Sequence, residues 1–419
     1  MIIFSNRKLP VDSQDFKKLI FSIKNIIIIF IVIFICRLSL AQQPLSMDEA
    51  VSIALANHPA ARNAVLEEQK DILMQQQVVE LAPVQVKYWQ RNIKVGNDRL
   101  WSITQDFGTI PEYFRRAQHY RTVTSARQAE RALTLDQLAW QVKAAYMNVV
   151  YYCQRLYMMQ EHNNYFEAFI DIAEMRLSVD SISELTRVST GTVYAAYQSR
   201  MYIAEEELKR AETHLRQLMN LPDRIFETDQ TELELYLIHP DKGSDERFEP
   251  VKHQALDEAQ LKEAESVVKL EKSKLFPAVH AGYINRHIEG MNNFHGWTGG
   301  LSLPLWVQPQ RARIKQAEID VKMKTNETEY RQFADRQYIE TLQSLLNEYF
   351  VQISFCRENL LVEAQLTLEE VEKDFSAGCI NNFSETLKKV SNAVSAKLKH
   401  LEYINLYNQT ALELEYYTQ

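Results

Sequence analysis

Apolar positions follow two rhythms along this chain. Leu135, Leu138, Val142, Ala145, Val149, Tyr152 and Leu156 step by alternating threes and fours, and so do Leu342, Leu346, Tyr349, Ile353, Cys356 and Leu360. A period of 3.5 keeps one stripe of side chains against a partner helix, so both segments are predicted to pack lengthwise as coiled coils. Elsewhere the period falls to two. Trp101, Ile103, Gln105 and Phe107 alternate with Ser102, Thr104 and Asp106, and Val279, Ala281 and Tyr283 alternate with His280, Gly282 and Ile284. Trp297, Gly299, Leu301, Leu303 and Leu305 alternate with Thr298, Gly300, Ser302 and Pro304. With the segment opened by Pro83, these predict four strands of about ten residues.

Breakers mark where each rhythm ends. No Gly or Pro occurs between Glu112 and Thr190, from Gln310 to Ala377, or from Cys379 onward. Stretches so free of them, and rich in good helix formers, predict helices over 46–81, 111–178, 182–220, 253–274, 310–377 and 380–417. Ser46 with Glu49 three residues on makes a capping box at the first of these. The pattern also recurs at an offset of about 195 residues. Pro83 matches Pro277, Tyr88 matches Tyr283, Trp101 matches Trp297 and Arg115 matches Arg311. The chain therefore divides into a first repeat at 42–220, a linker at 221–252 and a second repeat at 253–419. Each repeat is expected to run helix, strand, strand, very long helix, tight turn, long helix.

The first 41 residues carry a different signal. Lys17, Lys18 and Lys24 precede an apolar run from Ile26 to Cys36, and Ser39-Leu40-Ala41 forms a small-x-small site. That is the pattern of a secretory signal peptide over 1–41, and its apolar run is too short to span a bilayer as a helix. The leader holds six Lys and Arg against two Asp and Glu, so removing it takes the formal charge from −8 to about −12. Such an acidic balance argues against a nucleic-acid partner. Of the three cysteines outside the leader, Cys153, Cys356 and Cys379, none has metal-like spacing, and Cys356 falls in the apolar seam as a buried thiol. The histidines form no paired-ligand motif and no phosphate loop or nucleophile elbow occurs, so the reading is a non-enzyme without cofactor or metal.

Four alternating strands have the length of tilted transmembrane strands, and Tyr88, Trp89, Trp101, Tyr283, Trp297 and Trp306 are expected toward their ends as an interfacial girdle. Four strands cannot close a barrel, and open edge amides cannot remain unpaired in lipid. Membrane insertion then demands several copies, and three would give twelve strands. Each long helix would extend roughly 100 Å at 1.5 Å per residue, far more than a compact domain of this size needs. The competing reading is an exported periplasmic coiled-coil protein with no membrane insertion, which would accept Lys at Leu301 or Leu303. A periplasmic adaptor fits less well, because there are two helical hairpins and little other sheet.

"LSMDEAVSIALANHP", "GLSLPLWVQPQRARIKQAEID" and the twin helical hairpins, in this order and duplicated, resemble the TolC-type outer-membrane efflux proteins. The overall look is nearest to the CusC/CzcC-like subgroup that serves heavy-metal exporters. The resemblance implies a mainly α protomer of two repeats with a small transmembrane β part. It implies a homotrimer in the outer membrane, with a twelve-stranded barrel continued by a periplasmic α-helical tunnel. It further implies docking to a periplasmic adaptor and an inner-membrane pump of the RND type, as the exit duct of a tripartite efflux system. Docking would fall on the two helix–helix turns, Val179-Asp180-Ser181 and Ala377-Gly378-Cys379; the family's Val-Gly-small pattern keeps its glycine at 378, whereas Asp180 stands in the first turn. Asp180, Glu184 and Glu385 are the candidates for an acidic pore ring, against the plain alternative of solvated residues near a helix N-terminus.

Overall fold

The computed structural model describes residues 44–93, 96–178, 183–222, 228–229, 232–238, 248–288, 293–377 and 383–419. The predicted leader lies outside the described residues. Ser46 caps the first helix, α1 (Met47–Asn57), with its Oγ accepting from the Glu49 N–H at 3.2 Å. The single helix expected over 46–81 is broken. Pro59 holds His58 extended at ψ 138°, because its ring disfavours a helical residue before it. His58 Nδ1 then accepts from the Ala60 N–H and starts α2 (Pro59–Gln75) afresh, followed by a 3₁₀ turn at Gln76–Val78.

The rest of the order is β1 (Gln85–Ile93), β2 (Gly96–Gly108), α3 (Ile110–Ser178), α4 (Glu184–Met219), α5 (Gln254–Ser273), β3 (Ala278–Ile288), β4 (Phe294–Ser302), α6 (Gln308–Phe355), a π-helical turn at Cys356–Leu360, α7 (Leu361–Ser376) and α8 (Phe383–Thr418). Strand passes to helix abruptly. Gly108 takes φ +64°, open to a residue without a Cβ, and its N–H donates to the Asp106 carboxylate at 2.8 Å. Tyr113 Oη donates back to Phe107 O at 2.6 Å, pinning the first turn of α3 to the strand it leaves.

The long helix expected over 310–377 is not continuous. At the π turn the ladder slips to i→i−5, Leu361 N–H bonding Cys356 O, while the Asn359 side-chain amide donates to Phe355 O at 3.1 Å. The extra residue moves the seam. Ile353 and Cys356 are buried as expected, but Leu360 is exposed and the seam resumes one position late at Ala364, Leu368 and Val371. A strict heptad from Cys356 would have continued through residue 363 and could not anticipate this shift.

Packing divides the helices by level. Toward the sheet, α2 and α5 lie along α3, and α5 also packs on α6. Farther away α4 and α7 take their place, and α8 packs on α3, α6 and α7. The far level is held by Met159, Phe166 and Phe169 of α3 against Tyr197 of α4, Val371 of α7 and Phe383 and Leu387 of α8. A middle band joins α1, α3, α4 and α8 through Ala50, Val142, Tyr146, Met219 and Leu412. Here the linker is strapped down. Asn408 Oδ1 accepts from Tyr236 N–H and its amide donates to Glu234 O, both at 2.7 Å, and Gln154 Oε1 takes Leu233 N–H. Tyr146 Oη donates to Leu45 O at 2.9 Å and also meets Asp229, tying the segment just before α1 to the linker.

Two buried carboxylates brace the upper level. Asp71 of α2 receives Arg127 and Arg131 of α3 at 2.7 and 2.6 Å. Burial alone would raise its pKa, but the Arg131 and Arg127 guanidiniums outweigh that and hold the carboxyl below the usual range. Asp257 of α5 has one oxygen on Arg331 at 2.8 Å and the other buried without a hydrogen-bond partner. There burial wins, and the carboxyl is pushed up despite Arg331.

Candidate channel surfaces

The four strands form one antiparallel sheet in the order β1-β2-β3-β4, so the two hairpins, nearly two hundred residues apart, join through β2 and β3. Register assigns the faces. Val86 sits opposite Ile103, Ile103 opposite Tyr283 and Tyr283 opposite Trp297; Tyr88 sits opposite Trp101, and Val279 opposite Leu301. The rung of Val86, Ile103, Tyr283 and Trp297 is therefore apolar across all four strands; the face turns polar toward the hairpin turns at Gln90, Arg99, Asn285, His287 and His295, and its apolar members Val86, Tyr88, Trp101, Ile103, Trp297 and Leu301 are all exposed. The other face carries Lys87, Arg91, Asp98, Thr104, Asp106, His280, Arg286 and Thr298. Each hairpin repeats the same cross-strand pair, Tyr88 with Trp101 at 4.7 Å between ring centroids and Tyr283 with Trp297 at 5.3 Å.

The girdle expected from sequence is corrected in three ways. Tyr88, Trp101, Tyr283 and Trp297 lie mid-strand, not at the ends, because a cross-strand ring pair packs best where both strands are fully laddered. Trp89, next to Tyr88, necessarily points to the opposite, polar face. Trp306 is outside the sheet: β4 stops at Ser302, before Pro304, and Leu303, Leu305 and Trp306 follow it exposed.

Both outer strands, β1 and β4, are edges with no further strand beside them among the described residues. An exposed apolar face bounded by two open edges is stable neither in water nor in lipid as it stands. A matching bare surface runs along α6 and α7, where Ile319, Met323 and Tyr330, and farther on Val351, Phe355, Val362 and Leu366, are exposed at steps of four and seven within each group. Among the described residues no helix is long and apolar enough to cross a membrane.

At the far end the two helical hairpins come together. Phe169 of α3 meets Phe375 of α7 and Phe383 of α8 edge-on, and the Arg176 guanidinium lies 4.9 Å over the Phe383 ring. Val179, Asp180, Ser181, Gly378 and Cys379 lie outside the described residues. Ala377 is exposed and closes α7, its N–H on Lys373 O at 2.9 Å. Glu184 opens α4, exposed, and is held below its ordinary pKa by its hydrogen bond and charge contact with Arg187 one turn on. Glu385 is exposed in the first turn of α8. Cys356 is buried, and burial pushes its thiol up. No group of three His, Cys, Asp or Glu that could hold a metal ion occurs among the described residues.

No family model matches the chain, and no curated protein matches it in sequence. Solved structures do. CusC, studied for its folding and transmembrane channel formation, has a TM-score of 0.72 at 14% identity, over 88% of this chain and 90% of its own. The Campylobacter jejuni CmeC outer membrane channel gives 0.71 at 10% identity, over 89% and 85%. The chain has the fold of outer-membrane channels. The Neisseria gonorrhoeae MtrE outer membrane channel, in its open state, shares that fold at 0.68 and 13% identity, over 89% and 88%.

Within this channel fold, several positions escape a one-dimensional reading. The Asp98–Arg286 pair joins the two hairpins, Arg286 Nε donating to Asp98 Oδ1 at 2.9 Å and Nη2 to Oδ2. The Asp71 cluster, the Asn408 strap and the position of Trp89 and Phe294 on the polar face were also missed. Only Trp89 had a local signal, its odd spacing from Tyr88. The others depend on pairing between segments more than fifty residues apart.

Proposed function

We propose that this protein is an outer-membrane channel in which three copies share one twelve-stranded barrel and one periplasmic helical tunnel. The observation that carries the proposal is the four-stranded sheet with an exposed apolar face and two open edges. A β4 edge from one copy meeting the β1 edge of the next satisfies both rows of amides and closes the barrel around the polar face. The bare α6–α7 face supports the same assembly, since neighbouring copies would cover it. The reading of an exported coiled-coil protein free of the membrane leaves that sheet unexplained.

The fold and the sequence resemblance support a place as the passive exit duct of a tripartite efflux system. A periplasmic adaptor would dock on the turns at 179–181 and 377–379, backed by the aromatic packing around Phe383, and an inner-membrane pump of the RND type would deliver the cargo. Asp180, Glu184 and Glu385, three of each in a trimer, would face cargo near the tip. Glu184 is the weakest of these, because Arg187 already neutralises it. The metal-exporter resemblance makes metal ions the first cargo to test. Outer-membrane fractionation and mass measurement in detergent test the duct: trimers in the outer-membrane fraction are expected, and a soluble single-copy protein would refute it. A deletion strain with unchanged copper and zinc sensitivity would remove metals as cargo.

A further inference from the structure

Resting on that channel reading, we infer that Trp89 and Phe294, with Leu100 between them, form a size-selective collar inside the outer mouth of the barrel. Trp89 is opposite Leu100, Leu100 opposite Arg286, and Arg286 opposite Phe294. One rung therefore crosses all four strands on the face that bears Lys87, Arg91 and Asp98, not the face of Tyr88 and Trp101. Strand direction places this rung toward the hairpin turns, on the side away from the helices. Trp89 and Phe294 are 43% and 51% exposed, so both rings stand clear of the sheet instead of packing on it.

Two large aromatic rings on the water-lined face of a barrel need a reason, because burial against lipid is not available to them there. A barrel of eight strands is just filled by its side chains and one of sixteen leaves an open aqueous channel. At twelve strands, long side chains are the ones that narrow the lumen appreciably. On this face the rungs nearer the helices mix the small Ser102, Thr104, Gly282, Gly296, Thr298 and Gly300 with Gln85, Lys87, Ile284, Asp106 and His280, and hold no Trp or Phe. The bulky apolar rings of this face thus fall on the Trp89 rung alone among the described strand residues, and that rung is where the inferred collar lies. Because barrel strands tilt by roughly 40°, a threefold assembly stacks the Trp89 and Phe294 side chains as rings at different heights. Arg286 holds the rung in place. Its bidentate contact with Asp98, 1% exposed, locks β2 to β3 at the level where the two hairpins must keep register.

Access of thiol reagents from outside the cell tests this in the full-length protein with Cys153, Cys356 and Cys379 replaced by Ala. Thr104→Cys lies beyond the collar on the lumen face, and Ile103→Cys is its neighbour on the apolar face. A small hydrophilic maleimide should label Thr104→Cys and spare Ile103→Cys. A bulky polymer-bearing maleimide should label Thr104→Cys at least tenfold more slowly, and Trp89→Ala with Phe294→Ala should abolish most of that difference. Trp89→Tyr, which keeps a ring, should preserve it and shows that the site tolerates substitution. Equal labelling of Ile103→Cys and Thr104→Cys would overturn the barrel itself. Protection of Ile103→Cys, with bulky access unchanged by removing both rings, would overturn the collar alone.

Discussion

Consider Lys placed at two adjacent positions of β2. Ile103 lies mid-strand on the apolar face, between Val86 and Tyr283, and is 48% exposed in the single chain. Thr104 points the other way, between Gln85 and Gly282. In a barrel, Ile103→Lys puts an ammonium against the hydrocarbon at a cost of roughly 2–4 kcal/mol near mid-bilayer, and Thr104→Lys puts it in a water-filled lumen at a cost near zero. Three copies multiply the first figure to about 6–12 kcal/mol per trimer. At 1.4 kcal/mol per tenfold, even the lower bound lowers assembly by about four orders of magnitude. The assay is the amount of heat-resistant trimer recovered from outer-membrane fractions by semi-native electrophoresis. Thr104→Lys should match the unmodified protein, and Ile103→Lys should leave little or no trimer. Equal recovery of the two would show that the apolar face does not meet lipid, whatever else the sheet does.

Three further outcomes follow from the helices. Asp71→Ala strands Arg127 and Arg131 around a buried gap and should cost about 3–5 kcal/mol, read as a lower midpoint in thermal unfolding followed by circular dichroism. Because folding lowers the Asp71 pKa, its contribution is present above the unfolded value of 3.8 and drains away only as the pH falls through the lower folded value; an Asp71 contribution lost already between pH 7 and 5 would contradict the geometry. Asp257 behaves oppositely. Its folded pKa is raised, so ionisation weakens the fold as the pH climbs past 3.8, and Asp257→Asn, which still accepts from Arg331, should leave the midpoint at pH 7 unchanged or higher. Deleting Asn359 should convert the π turn to α helix and keep Ala364, Leu368 and Val371 buried, whereas deleting Thr367 should rotate Leu368 and Val371 differently from Ala364. Hydrogen exchange over α7 distinguishes these outcomes, with protection expected to survive only the first deletion.

Much of this architecture is a local matter, settled within windows of ten or twenty residues. Helix and strand periods, scarce breakers and the Ser46 cap act through neighbours in the chain, so sequence alone determines a mainly helical protein with four short strands and very long rods. The recurrence of one ring pair in both hairpins, Tyr88 with Trp101 and Tyr283 with Trp297, is equally legible. Parity within a strand was legible too: Trp89 could never share a face with Tyr88. What sequence could not fix was the relation between segments. That Phe294 stands on the same rung as Trp89 depends on the β2–β3 ladder, whose partners are separated by almost two hundred residues. That Leu360 leaves the seam depends on one slipped hydrogen bond in a helix that looks continuous by composition. Asp71 and Asp257 look alike as letters and differ in charge behaviour because two guanidiniums reach one, whereas burial and Asp335 outweigh the single guanidinium that reaches the other. Periodicity measures each segment against itself; tertiary packing sets the phase between segments, and the apolar face, the collar and the buried ion pairs all depend on that phase.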